Sequence, residues 1–320
     1  MCVIPGIVAC QPVVASTPSP ESSIEGVSGV QLRVEPDDGT QSVIQFIQRS
    51  QRTLDVAMYL LTDRPVIQSL EEAKQRGVQV RVMLEEHPYG SGPGNGSINR
   101  ALRSAGIATA WAPPSFQLSH DKYAVADQKQ ALVGTANWTF SAFTNNREFL
   151  VLDSDQQDVQ ALEDLFNADW NRRNAQTSDP HLVVSPVNSR SDLLDLIDSA
   201  RRSLDLEAEE TQDLAVEDAL IRAAQRGVAV RVVTVAPHGN DANANGRLRM
   251  TQGGVQVRTL ESPYVHGKDV VSDRREAFIG SENISTASLD KNREVGLLID
   301  DASAITTLED TFTRDWQSAR

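Results

Sequence analysis

The sequence predicts an α/β protein made of two similar halves, and three observations carry that prediction. First, the stretch HDKYAVADQKQALVGTAN at 120–137 has an echo, HGKDVVSDRREAFIGSEN, at 266–283. In both, His is followed by Lys two positions on, Asp seven on, Gly and a hydroxyl residue fourteen and fifteen on, Asn seventeen on and Glu twenty-eight on. Second, the echo runs well past the motif. His120 and His266, Asn137 and Asn283, Glu148 and Glu294, and Trp170 and Trp316 all keep an offset of 146 residues. Flanking text matches too: NNREFLVLD against KNREVGLLID, and LEDLFNADW against LEDTFTRDW. Upstream, EAKQRGVQVRV from Glu72 matches RAAQRGVAVRV from Arg222 at an offset of 150, and the slip of four falls in 87–119 and 237–265. A period this long is a duplicated domain rather than a solenoid repeat. Third, short apolar runs alternate with helical stretches, the pattern of an α/β layer architecture.

At 320 residues and 40 % apolar content, the chain can bury two ordinary cores. Residues 1–28 read as a disordered tail or tether, 29–176 as the first half and 177–320 as the second, with the boundary in NAQTSDP at 174–180. From Val30 the order is QLRVE, a helix over Ser42–Ser50, TLDVAMYLL, a helix over Pro65–Arg76, and GVQVRVMLE. The second half repeats it with LVVSP, a helix over Asp192–Arg202, SLDLEAEE, a helix over Leu214–Arg226, and GVAVRVVTV. Gly77 and Gly227 stand where a helix C-cap belongs, each before a β-branched run. The Gly/Asn-rich loops HPYGSGPGNGS and PHGNDANANG occupy equivalent places between strand and helix.

The net charge is −14, from 30 basic and 44 acidic residues. That balance argues against a general nucleic-acid surface, whose affinity comes from many Lys/Arg–phosphate contacts. The two cysteines, Cys2 and Cys10, both lie in the tail, so neither a disulfide scaffold nor a Cys-based metal site is available. Ile7-Val8-Ala9-Cys10 resembles the lipobox of bacterial lipoproteins and is followed by a Ser/Pro-rich stretch, although the residues before Cys10 hold no Lys or Arg. The location expected from it is extracytoplasmic, with lipid anchoring through Cys10; a cytoplasmic protein with an untargeted tail is the alternative. No run approaches the roughly 18 apolar residues of a membrane span.

On a strand, side chains alternate faces, so His120 projects with Lys122 and His266 with Lys268. An imidazole beside an ammonium can attack and grip one anionic group. Asp127 and Asp273 have the opposite parity and lock the strand end or its turn. Gly134-Thr135-Ala136-Asn137 and Gly280-Ser281-Glu282-Asn283 form polar turns whose hydroxyls and amides, those of Thr135 and Ser281 included, can donate to a phosphate oxygen. A lone His-x-Lys is a common surface pair and a lone Gly-Ser-x-Asn a common turn. Duplicated in register, they read as a site. His87, His181 and His238 have no matched partners and read as ordinary surface or core residues.

These residues carry a specific resemblance. HxKxxxxDxxxxxxG[ST]xN, twice, resembles the phospholipase D superfamily over roughly residues 31–320. The resemblance implies two mixed sheets flanked by helices, a pseudo-twofold axis between the halves, and both motifs in one site at their interface. It implies that His120 attacks phosphorus to give a phosphohistidine and that His266 protonates the leaving alcohol and then activates water or an acceptor alcohol. Glu148 and Glu294 are then the carboxylates that orient His120 and His266, since a carboxylate fixes the tautomer that leaves the other nitrogen free. The competing reading of those two is a strand-edge ion pair with Arg147 or Arg293. Lys122, Lys268, Asn137 and Asn283 would stabilise charge on the non-bridging oxygens. No metal or other cofactor is expected, because two ammonium groups supply the positive charge, and no His/Asp cluster resembles a metal site.

The halves differ after the motif: Trp138-Thr139-Phe140-Ser141-Ala142-Phe143 against Ile284-Ser285-Thr286-Ala287-Ser288. Those aromatics read as core, or as an apolar wall for a lipid chain or a base. The expected activity is hydrolysis or alcohol transfer of a phosphodiester, phospholipid before nucleic acid, by a monomer with no obligate partner. A metal-independent endonuclease is the alternative. A cardiolipin-synthase-type transferase comes third, because such enzymes usually carry N-terminal spans.

Overall fold

The computed structural model describes Met1, residues 29–89 and residues 94–320; Cys2, Cys10 and part of the 87–97 loop lie outside these. The first half runs β1 (Gln31–Glu35), α1 (Gln41–Arg49), β2 (Thr53–Met58), α2 (Arg64–Gln75), β3 (Gln79–Leu84), α3 (Gly96–Ser104), β4 (Ala108–Trp111), β5 (Lys122–Ala126), β6 (Gln130–Gly134), α4 (Phe140–Thr144), β7 (Asn146–Asp153) and α5 (Gln156–Trp170). After an irregular linker the second half runs β8 (Leu182–Ser185), α6 (Ser189–Ser199), β9 (Ser203–Ala208), α7 (Leu214–Gln225), β10 (Ala229–Val235), α8 (Ala244–Gln252), β11 (Gln256–Leu260), β12 (Tyr264–Val265), β13 (Lys268–Ser272), β14 (Glu276–Gly280), α9 (Thr286–Asp290), β15 (Glu294–Ile299) and α10 (Ala302–Ser318).

Local chemistry sets these elements. Asp63 and Asp213 cap α2 and α7 by accepting backbone N–H groups in the first turn, and Pro65 sits where its missing N–H costs nothing. Gly77 and Gly227, at φ +94° and +92°, turn the chain out of those helices into β3 and β10. The helix expected over Asp192–Arg202 lies three residues earlier. Asn188 binds the backbone of Val184 and Leu182 and turns the chain for α6 to begin at Ser189. At the other end Asp273 captures the N–H groups of Arg201 and Arg202, which therefore cannot remain helical.

The two sheets share one topology. The first has the order β1-β7-β6-β5-β2-β3-β4, and the second, read in the same direction, β8-β15-β14-β13-β9-β10-β11. In each, three parallel strands continue into an antiparallel set, so the sheets are mixed. Helices α1, α2, α6 and α7 cover the outer faces. The inner faces meet each other: Tyr123, Val133, Phe149 and Val151 of the first half share one core with Val271, Ile279, Val295 and Leu297 of the second. Burying that apolar surface between the halves is the main force that holds them in register.

Buried ion pairs repeat the symmetry. Arg147 on β7 makes a two-pronged contact with Asp315 on α10, and Arg293, just before β15, meets Asp169 on α5. Each arginine also donates to a carbonyl, that of Glu35 or Ser185. These arginines are thus engaged across the interface, not with Glu148 or Glu294.

Candidate active site

The segments that lead into the two histidines are exchanged between halves. The N–H of His120 donates to the carbonyl of Arg293, and that of His266 to the carbonyl of Arg147. Strand β12 pairs with β7, setting Val265 opposite Arg147, and Ser119 bridges to Arg293. Each His therefore stands just before its strand, pinned against the strand of the other half that carries Glu148 or Glu294.

That exchange decides the imidazole partners. His120 Nδ1 lies 2.7 Å from Glu294 Oε2, and His266 Nδ1 lies 2.8 Å from Glu148 Oε2. The pairing expected within each motif, Glu148 with His120 and Glu294 with His266, is corrected: the pairs cross. Glu294 is fully buried; burial pushes its carboxyl up, but His120, Lys122 and the Ser288 hydroxyl outweigh it and hold it below the ordinary range. Burial is the largest influence on His120 and lowers its proton affinity, so its neutral form is favoured. With Nδ1 on a carboxylate, its Nε2 is the free nitrogen.

Lys122 opens β5 and donates its ammonium to the His120 carbonyl; Lys268 opens β13 and donates to the His266 carbonyl at 2.7 Å. Burial lowers Lys122 to about 8, with Lys268 adding to the effect and Glu294 opposing it. Asn137 and Asn283 keep their Oδ1 atoms buried without a hydrogen-bond partner.

Asp127 and Asp273 sit in the hairpin turns after β5 and β13, at φ +57° and +53°. Asp127 accepts N–H groups from Gln51, Arg52 and Thr53, and Asp273 from Arg201, Arg202 and Ser203. They tie each hairpin to the neighbouring strand and lie away from the imidazoles. Thr135 and Ser281 are corrected. Fully buried, Thr135 Oγ1 donates to Glu148 Oε2 and accepts from Phe149 N, while Ser281 Oγ accepts from Val295 N. The preceding glycines explain the tightness: a Cβ on Gly134 would collide with the Phe149 carbonyl. These hydroxyls position the carboxylate strand rather than face a phosphate.

Trp138 and Phe143 are core, while Phe140 is exposed. Away from the imidazoles, His181 Nδ1 meets Asp158 at 2.9 Å, with Asp179 close enough that all three ligating atoms lie within 4.8 Å of one another. This junction cluster was not anticipated from the sequence, because Asp158 is far from the linker in chain order.

Two residues beside the imidazoles were also missed. Glu209 Oε2 lies 2.8 Å from Lys268 Nζ and 3.3 Å from His266 Nε2. Tyr59 stands edge-on to His120, with ring centroids 4.5 Å apart, and lies under Lys122 Nζ. The repeat held the signal: at the upstream offset of 150, Tyr59 aligns with Glu209.

A family model described as "Cardiolipin synthase, PLD-like domain" matches residues 43–170 and again 193–316. A Mitochondrial cardiolipin hydrolase from Xenopus tropicalis is 29 % identical over 42 % of this chain, which spans 62 % of that protein's length. Cardiolipin synthase B from Salmonella typhi is 26 % identical over 88 % of this chain and 79 % of its own. Among solved structures, phosphatidylserine synthase from Haemophilus influenzae Rd KW20 superposes with a TM-score of 0.71 at 13 % identity, covering 92 % of this chain and 88 % of that one. That likeness is one of fold. Among the described residues, no helix is long and apolar enough to cross a membrane.

Proposed function

This chain belongs to the phospholipase D superfamily, in the family of PLD-like cardiolipin synthase domains, and on that premise we propose that it is a phosphodiesterase acting on phospholipid through a phosphohistidine. The observation that carries the reading is the pair of crossed imidazole–carboxylate contacts, which holds Nδ1 of each ring and leaves Nε2 of His120 to attack. His120 Nε2 forms the N–P bond as the leaving oxygen departs with a proton from His266. Water, deprotonated by His266, then releases the product. Lys122, Lys268, Asn137 and Asn283 stabilise the charge that gathers on the non-bridging oxygens. Asp127 and Asp273 act only by fixing the hairpins that carry the lysines.

Transfer of the phosphatidyl group to an alcohol is the second reading, favoured by the relation to Cardiolipin synthase B across 88 % of the chain. The net charge of −14 supports a lipid or small diester over nucleic acid. The test offers the purified protein cardiolipin and phosphatidylglycerol vesicles, with and without glycerol, and single-stranded DNA in parallel. Phosphatidic acid is expected from lipid, and a new phosphatidyl ester if transfer dominates. Cleavage of DNA with no lipid product would overturn the reading. The lipobox-like run supports lipid anchoring through Cys10 outside the cytoplasm; unchanged membrane fractionation of Cys10→Ala would refute it.

A further inference from the structure

Tyr59 and Glu209 occupy twin places and differ in the one property that matters there, charge. Each follows its strand, β2 or β9, by one residue. At each, the backbone carbonyl accepts the side-chain amide of an equivalent asparagine, Asn95 or Asn243. The backbone is thus the same on both sides, and only the side chain changes. Tyr59 gives His120 an aromatic edge, its hydroxyl accepting from the Tyr89 N–H. Glu209 gives His266 a carboxylate, held by Lys268 through Oε2 and by the Tyr264 hydroxyl through Oε1.

We propose that Glu209 is a positioning residue that sets the direction of the reaction: it keeps the proton on His266, the acid, while Tyr59 in the twin place leaves His120 free to attack. The inference rests on the phosphodiesterase reading of the site. Around His266 stand Glu148 from β7, Glu209 after β9, Lys268 on β13 and Tyr264 on β12. Around His120 stand Glu294 from β15, Lys122 on β5 and Tyr59 after β2, with Lys268 acting from the other half. One carboxylate on Nδ1 and one lysine on the histidine's own backbone carbonyl are common to both rings. The two rings are equally exposed, and the difference beside them is a negative charge 3.3 Å from Nε2 of His266, set against the edge of an uncharged ring at His120. A carboxylate at that distance favours the charged imidazole, whereas desolvation disfavours it. Without such a difference, two rings related by pseudo-symmetry would be equivalent as nucleophile and acid.

The consequence for the chemistry is specific. The lone pair of His120 Nε2 makes the N–P bond, the P–O bond breaks, and the alcohol oxygen takes the proton from His266 Nε2. In the second step water bonds to phosphorus and returns a proton to His266, as the N–P electron pair goes back to His120.

The test reads protonation ring by ring, by nitrogen NMR of full-length protein labelled at its five histidines, with the His120→Asn and His266→Asn spectra as assignments. Glu209→Gln should lower the His266 titration midpoint by about one pH unit or more, and by more than it moves His120, which Glu209 reaches only at longer range. Tyr59→Glu should raise the His120 midpoint by a similar amount. An unmoved His266 in folded Glu209→Gln protein would overturn the inference and reduce Glu209 to a tether for Lys268. Because no substrate is present, this result stands apart from the activity assays. A protein that forms no adduct on phosphodiesters would sink the function and leave the titration result intact.

Discussion

His120 Nδ1 meets Glu294 Oε2 at 2.7 Å, although the two are 174 residues apart and a glutamate of the same motif, Glu148, was the nearer candidate. The crossing follows from backbone exchange: His120 N–H is bound to Arg293, the residue before Glu294. Neither half contains an oriented imidazole by itself. Orientation fixes the tautomer, and the tautomer decides whether Nε2 has a lone pair to offer.

The crossing makes a prediction about rescue. If Glu294 orients the nucleophile, Glu294→Gln should slow adduct formation by about 10²-fold or more, and Glu148→Gln should mainly slow its hydrolysis. Rapid mixing with an activated diester separates the two steps. Equal effects on both steps from both variants would contradict the assignment.

Substituting the histidines tests their roles. His120→Asn should bring turnover to background. His266→Asn should still release a burst from a p-nitrophenyl diester, whose leaving group needs no proton, and then stall with phosphorus on His120. Mass spectrometry after an acid-free quench locates the adduct. Phosphorus on His266 in the His120→Asn protein would reverse the roles.

Charge at the site comes from lysines, so activity is expected to persist in excess EDTA. Burial lowers both His120, from 6.5, and Lys122, to about 8. The nucleophile is therefore already neutral at pH 6.5 and is lost to protonation only at lower pH, and the Lys122 ammonium is lost as pH rises through about 8. Rates should plateau between those limits and fall on either side. Full, Mg²⁺-reversible inhibition by EDTA, or a rate still climbing past pH 9, would count against this account.

Asp127 is a structural residue whose loss should cost stability. Asp127→Ala strands three backbone N–H groups, at about 1–2 kcal/mol by analogy with helix caps. Burial pushes its carboxyl up, but those N–H groups outweigh it and hold it below its ordinary value. A depressed acid stabilises the fold above its unfolded pKa, near 3.9, and loses that contribution as pH falls through its folded value. Denaturation midpoints of wild type and variant should therefore converge as pH falls below the ordinary carboxylate range; a constant gap would refute it.

The sequence by itself determined the duplication, the α/β class, the hairpin aspartates and the set of His, Lys and Glu residues brought together. It could do so because each is fixed by chain-local rules: strand parity, helix caps, turn residues and a repeated spacing. Partner identity was decided only by the tertiary structure, since spacing within a motif says nothing about which copy of it a side chain meets across an interface. The crossed Glu148 and Glu294 and the Asp158–His181 contact arise that way, while Thr135 and Ser281 turn to the adjacent strand of their own sheet. Glu209 and Tyr59 were present as a mismatch between two otherwise parallel strand ends. That mismatch took on meaning only when pairing of β9 with β13 and of β2 with β5 set a carboxylate beside one imidazole and a phenol beside the other.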